Sequence, residues 1–270
     1  MELSLTSWSL PACSLDEAAG IAKVLGIGAL DLGYFFGPAL DKAALLAEPE
    51  RVAERVLGLG VDLPNLYHLF GHSLSDRNLA DRRNLERNLA DFRQVVRFCA
   101  AASIPTVFVL PGVVNAGQSR RDAFAQSAES LARLVPIAEE AGVTLTIEPH
   151  VHSYLESPAL VLDLLDQVPG LKLTLDYAHF TCLGWRQDEI DVLAPYAAHV
   201  HLRQSKIGEL QTKLDKGTIN IAAELGILRA SGYDGRLSIE YTFQDYMNSL
   251  YDDILTETIR MRDLVRSWQA

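Results

Sequence analysis

Two rhythms of hydrophobic and polar positions alternate along this chain. Short apolar runs of strand length occupy residues 3–10, 27–34, 63–70, 106–110 and 145–147, the segments ending at Asp176 and His201, and residues 237–241. Between them lie stretches whose apolar residues recur every three or four positions, as on one face of a helix. Ser14 and Glu17 form a capping box that opens the first of these, which ends near Gly26. Further helices are expected over 50–59, 76–102, 119–141, 158–168, 188–196, 219–231 and 247–265. In the longest, 76–102, Leu85, Leu89, Phe92, Val96 and Cys99 share one face. Over 119–141, Phe124, Ala128, Leu131 and Val135 point inward, and Pro136 is expected to kink the helix.

Eight strands alternating with eight helices predict an α/β protein. The chain has 270 residues and no glycine-rich dinucleotide fingerprint, so the best fit is one domain, residues 1–270, folded as a (β/α)₈ TIM barrel. In that fold the chemistry sits at the C-terminal ends of the strands.

Four of the apolar runs end abruptly in a residue that ionises or ligates. Glu148 follows Ile147, Asp176 follows Leu175, His201 ends His199-Val200-His201, and Glu240 follows Ile239. A carboxylate at the mouth of an apolar strand costs several kcal/mol of desolvation if left unpaired. Each acid could be neutralised by a buried Arg or Lys. Four such residues at consecutive strand ends have a simpler shared partner in one divalent cation, and three oxygen donors with one imidazole suit Mn²⁺, Mg²⁺ or Co²⁺ better than Zn²⁺.

Bulk properties narrow the partners. The net charge is −11, which disfavours nucleic acid, because phosphate binding draws on an excess of Lys and Arg. The arginines at 82, 83, 87, 93 and 97 are interspersed with Asp81, Glu86 and Asp91 and read as a solvated helix face. Neither a basic, apolar leader nor an apolar run of membrane-spanning length is present, so the expectation is no signal peptide and no membrane span. Cys13, Cys99 and Cys182 are widely spaced and fit reduced thiols in a cytoplasmic protein. A homo-oligomer is left open, with no interface signature in the sequence.

Taken together, Ile147-Glu148-Pro149, Leu175-Asp176-Tyr177-Ala178-His179, His199-Val200-His201, Gly217-Thr218-Ile219, Gly232-Tyr233-Asp234-Gly235 and Ile239-Glu240-Tyr241 resemble the xylose isomerase-like sugar isomerase and epimerase barrels. The resemblance covers nearly the whole chain and is densest over residues 145–241. It implies that Glu148, Asp176, His201 and Glu240 bind one divalent metal ion, Mn²⁺ first among the candidates, and that His179 meets the substrate. It also implies that the two glutamates move a proton of a ketose or sugar phosphate through a metal-stabilised enediolate. A dehydratase or lyase on the same barrel, and a non-catalytic sugar-binding barrel, are the alternatives. The sequence departs from the family in carrying Asp31 where many relatives have Glu, in following His201 with Leu202-Arg203-Gln204, and in having Asn220 where Asp is common.

Secondary candidates surround this set. Arg203, Lys206, Lys213 and Lys216 are candidates for a substrate phosphate or carboxylate, or members of a mixed-charge surface loop. His150 and His152 follow Glu148 and either line the pocket or sit behind it or in solvent, and Trp8, Phe35 and Trp185 are candidates for an apolar wall against a sugar ring or for ordinary core or lid packing. His68 and His72 close the third strand. His68 is a candidate substrate-binding residue, and the pair could be zinc ligands of the kind used by related abasic-site endonucleases, though the acidic charge and a fourth strand ending Val109-Leu110-Pro111 speak against the latter.

Overall fold

The structure is a computed structural model that describes residues 1–34, 40–243, 246–249 and 253–270. Eight parallel strands close into a barrel in chain order: β1 (Leu3–Thr6), β2 (Leu30–Gly33), β3 (Asn65–Tyr67), β4 (Thr106–Val109), β5 (Thr144–Ile147), β6 (Lys172–Asp176), β7 (Ala197–Leu202) and β8 (Leu237–Ile239). Every pairing is parallel, including the closure of β8 on β1, so each strand must be followed by a crossover outside the barrel.

The crossovers carry α1 (Leu15–Val24), α2 (Lys42–Ala47), α3 (Pro49–Leu57), α4 (Leu85–Ala101), α5 (Arg120–Glu140), α6 (Pro158–Gln167), α7 (Tyr177–Thr181), α8 (Gln187–Asp191), α9 (Ile221–Ala230) and α10 (Ile254–Gln269). The expected alternation of one helix per strand is therefore corrected: two follow β2 and two follow β6. The Ser14–Glu17 capping box opens α1 as anticipated. Pro136 lies inside α5, which continues to Glu140. Among the described residues no helix is long and apolar enough to cross a membrane.

Two helix starts fall later than periodicity predicts. The pattern beginning at 76 becomes helical only at Arg82–Asn84, a 3₁₀ turn, and Leu85. Arg77 is left-handed at φ 53°, the Asn78 side chain accepts from Ala80 N and donates to Ser75 O, and Asp81 accepts from Arg83 N. Short polar side chains thus satisfy the backbone locally and displace the helix. At the C-terminus, Met247 and Asn248 also have positive φ, and Asp253 caps α10 through Thr256 N. Residues 250–252, which the expected helix crosses, lie outside the described residues, as does the aromatic pair Phe35 and Phe36.

Strand alternation sorts the barrel into two environments. Leu5, Leu32, Leu66, Val107, Ile147, Leu175, Val200 and Ile239 join the inner faces of the helices in one continuous apolar core. The residues between them face the barrel axis. Low in the barrel these are polar, and some pair with one another: Thr106 Oγ1 lies 2.8 Å from Asn65 Oδ1, and the hydroxyls of Thr146 and Thr174 are 2.8 Å apart. One step higher on β5, β6, β7 and β8, the same parity brings up Glu148, Asp176, His201 and Glu240.

Candidate functional site

Register sets the height of the four residues. Val109 pairs with Ile147, Asp176 with His201, and Leu202 with Ile239. Glu148 and Glu240 each follow the last residue of their strand, one step beyond the Ile147–Leu173 and Leu202–Ile239 pairs. All four side chains are buried, and their ligand atoms lie within 4.8 Å of one another.

His201 is central. Its Nδ1 is 2.8 Å from Glu148 Oε1 and 3.3 Å from Glu240 Oε2. Its ring packs edge-on against Trp8 and Phe108, at 5.9 and 5.2 Å. Trp8 sits on a 3₁₀ turn, Ser7–Ser9, that leaves the ladder directly after β1. Gly33 admits it, because a Cβ there would come within 2.8 Å of the indole. From this position Trp8 Nε1 donates to Glu240 Oε1 at 2.6 Å.

The reading of Arg203 as part of a surface loop is corrected. Arg203 is buried: its Nη2 lies 2.5 Å from Asp176 Oδ2, 3.3 Å from Glu240 Oε2 and 3.0 Å from His179 Nε2. Alternation was the available signal, since 199, 201 and 203 share one parity. Lys206 instead pairs with Glu209 at 3.0 Å, and Lys216 is exposed beside Asp215. Pairing of every acid with a buried base is met only in part: among the described residues, one guanidinium serves Asp176 and Glu240, and none reaches Glu148.

These contacts drive the protonation states apart. Burial opposes the charge on Glu240, but Arg203, His201 and the Trp8 N–H outweigh it and hold this carboxyl well below the usual range. Burial pushes Glu148 up to about 7, against the pull of His201 and with Glu240 and Asp176 adding to it. Burial also disfavours a charged His201, yet Glu240 and Glu148 lift its ring well above the ordinary value. Burial lowers His150 to about 4 and takes His179 well below its usual value, so both present neutral imidazoles.

A cavity of about 230 Å³ opens above the cluster. Trp8, Glu148, His150, His179, Arg203 and Glu240 line it, and so does His72. Tyr67, Thr242 and Tyr246 do as well, and sequence reasoning missed all three. His150 lies against His179 at 4.1 Å between ring centres. His152 is turned outward and takes its partner from Tyr246, Nδ1 to hydroxyl 2.9 Å. Trp185 donates to Glu156 O and stays off the cavity wall.

His68, expected at the pocket, is corrected. It follows Tyr67, whose ring faces the cavity, and alternation therefore turns His68 the other way, into a box of Tyr34, Phe70 and Phe92. Burial takes its pKa to about 3.

The donor set fits a divalent cation. Among the described residues, the three buried carboxylates of the cluster share one guanidinium and the His201 imidazole, and Glu240 Oε2 lacks a hydrogen-bond partner. Oxygen-rich ligation with one nitrogen suits Mn²⁺, Mg²⁺, Co²⁺ or Zn²⁺.

A family model described as a xylose isomerase-like TIM barrel matches residues 20–259. No curated protein matches the chain by sequence. Among solved structures, the chain is similar in fold to an L-ribulose 3-epimerase, at TM-score 0.78 and 21% identity over 99% of this chain and 94% of that one. A D-psicose 3-epimerase from Clostridium cellulolyticum H10, described with D-tagatose, matches at TM-score 0.74 and 17% identity over 99% of both chains. An IOLI protein described with a binding zinc atom matches at TM-score 0.77 and 18% identity, again over 99% of both.

Proposed function

Since this chain belongs to the xylose isomerase-like TIM barrel family, we propose that it is a divalent-metal-dependent sugar isomerase or epimerase acting on a ketose or sugar phosphate. The observation that carries this reading is the convergence of Glu148, Asp176, His201 and Glu240, with Glu148 and Glu240 lining the cavity. Those four residues would hold the ion, Mn²⁺ before Mg²⁺, Co²⁺ or Zn²⁺, and residues 1–270 would act as one cytoplasmic domain. Bound there, the ion supplies Lewis-acid polarisation of the substrate carbonyl.

The chain's own groups divide the proton transfer. Glu240 is held ionised by Arg203 and oriented by the Trp8 N–H, which suits it to take the proton from the carbon beside the carbonyl. Glu148, the other carboxylate of the cluster that lines the cavity, would return a proton on the other face. Neutral His179 and His150 offer the substrate hydroxyls a hydrogen-bonding edge. Trp8 and Tyr67 give the ring an apolar wall.

The test is incubation with Mn²⁺ and a panel of ketoses and their phosphates in D₂O. Deuterium at the carbon beside the carbonyl supports the reading. An unsaturated product absorbing in the ultraviolet would transfer it to the lyase class, and no exchange with any sugar would leave a binding barrel.

Two further results are expected. Trp8→Phe keeps the ring but removes the N–H from Glu240, so turnover should fall about tenfold, the scale of one hydrogen bond to a charged group. A hydrogen bond to a carboxylate favours its charged form, so its loss raises the Glu240 pKa, and the acidic limb of the rate profile should move to higher pH. An unmoved limb would separate Trp8 from Glu240.

Ion binding should also be proton-linked. Glu148 and His201 both hold protons more tightly than usual, and both must release them to become ligands. Lower pH therefore competes with the ion. Mn²⁺ affinity by calorimetry should weaken at least about tenfold from pH 8 to pH 6, with heats that vary with the buffer as protons are released. A flat profile would contradict the ligand assignment.

A further inference from the structure

Below the cluster, the barrel interior holds a further buried carboxylate that the proton-transfer reading leaves idle. Asp31, on β2, shares the interior with His199 and His201 of β7. One ligating atom from each of the three lies within 4.8 Å of the others, and all three residues are buried. His199 Nε2 bonds Asp31 Oδ2 at 2.6 Å, and Asn65 Nδ2 approaches the same oxygen at 3.4 Å. The other oxygen, Oδ1, has no hydrogen-bond partner. The hydroxyl of Ser4 also faces Asp31 and, as a hydrogen-bond donor, favours its charged form.

His201 carries the matching unpaired atom. Its Nδ1 faces the carboxylates of Glu148 and Glu240, while its Nε2 is buried without a partner. The two nitrogens of an imidazole point to opposite sides of the ring, so with Nδ1 turned to the mouth, Nε2 turns toward the barrel floor. A ring that gives its Nδ1 lone pair to a cation must carry its proton on Nε2, and that N–H requires an acceptor. The His199 ring stands edge-on to His201 at 5.3 Å and is itself committed to Asp31.

We propose that Asp31 is a positioning residue for the cation site: its free Oδ1 accepts the Nε2–H of His201, directly or through one water, and so fixes the tautomer and the tilt of the imidazole that offers Nδ1 to the ion. His199 holds Asp31 in place from the other oxygen. The aspartate touches neither substrate nor ion. This inference rests on the cation site proposed above and extends it to the layer beneath.

Burial gives the carboxylate at position 31 its value. At this depth it has no solvent to pair with, and the polar groups that bear on it include the two β7 histidines, Asn65, Ser4 and Tyr233. Its charge is therefore useful to the extent that it makes His201 a better ligand, since a carboxylate behind a ligating imidazole raises the ring's basicity.

The experiment titrates Mn²⁺ alone into the full chain and into Asp31→Asn, with thermal unfolding of both in chelator as the stability control. The isosteric amide keeps shape but offers an N–H₂ or a weaker acceptor. The expected result is a Kd weaker by about 10- to 100-fold in the variant, with the unfolding midpoint in chelator changed little. Equal affinity, within about threefold, would overturn the proposal. So would a loss of stability with unchanged affinity, since Asp31 would then be purely structural.

If Asp31→Asn does not fold, the wild-type protein decides by nitrogen-15 imidazole spectra in its zinc-loaded form. His201 with a protected Nε2–H supports the proposal, and His201 protonated on Nδ1 overturns it. A wild-type chain that binds no divalent ion would remove the cation site, and the role of Asp31 with it. That result is distinct from the one in which wild type binds and Asp31→Asn binds equally well.

Discussion

Replacing Glu240 with glutamine is expected to lower turnover on a confirmed sugar by about 10³-fold or more, beyond the middle of the range for one general acid or base. Two losses add up. The amide cannot accept the substrate proton, and one charged ligand is removed from the cluster. Its neighbours make the swap otherwise gentle: the amide oxygen could still receive the Trp8 N–H, so the fold and the cavity should persist. Glu148→Gln should act in the same direction, by withholding the proton that is returned. The measurement is kcat together with loss of deuterium exchange in D₂O, alongside a circular-dichroism check of the fold. Unchanged turnover in Glu240→Gln would remove Glu240 from the proton transfer.

The second large effect is on stability. Arg203→Met removes the guanidinium that Asp176 and Glu240 share on a floor of three buried carboxylates, keeping the aliphatic volume. Breaking a buried ion pair by deleting one partner costs about 3–5 kcal/mol. For a chain of this length that corresponds to a fall of about 10 °C in the unfolding midpoint in chelator. A divalent ion replaces the lost positive charge, so added Mn²⁺ should restore much of the midpoint and raise it more in the variant than in wild type. Differential scanning calorimetry with and without Mn²⁺ reads both numbers. A variant as stable as wild type in chelator would show that Arg203 does not balance the cluster.

The strand-end acids were legible because strand alternation and strand length are local properties: an apolar run that ends in Glu, Asp or His shows itself in a few residues. The barrel followed from counting those runs, while the helix total did not, because the short helices α2 and α7 hold too few turns to show a period.

Arg203 was harder. Arg203-Gln204-Ser205 reads as a polar loop, yet it is buried because its groups satisfy one another: Gln204 Oε1 accepts from Ser205 N and Ile219 N, and Ser205 Oγ donates to Glu209 O. Polarity predicts exposure only when the bonds are made to water. Trp8 and Glu240 are 232 positions apart, and only closure of β8 on β1 brings them together. His68 erred by one residue of parity, since a strand that shows Tyr67 to the cavity must hide its successor.

The central claim, that Glu148, Asp176, His201 and Glu240 hold one divalent ion beneath the cavity, is most directly tested by elemental mass spectrometry. The purified chain is stripped with chelator, incubated in turn with Mn²⁺, Mg²⁺, Co²⁺ and Zn²⁺, and desalted. The account predicts about one tightly held ion per chain, the stoichiometry of a single site of this kind, and its loss in Asp176→Asn. A folded wild-type chain that retains none of the four ions, or a variant that retains the ion as wild type does, would contradict it.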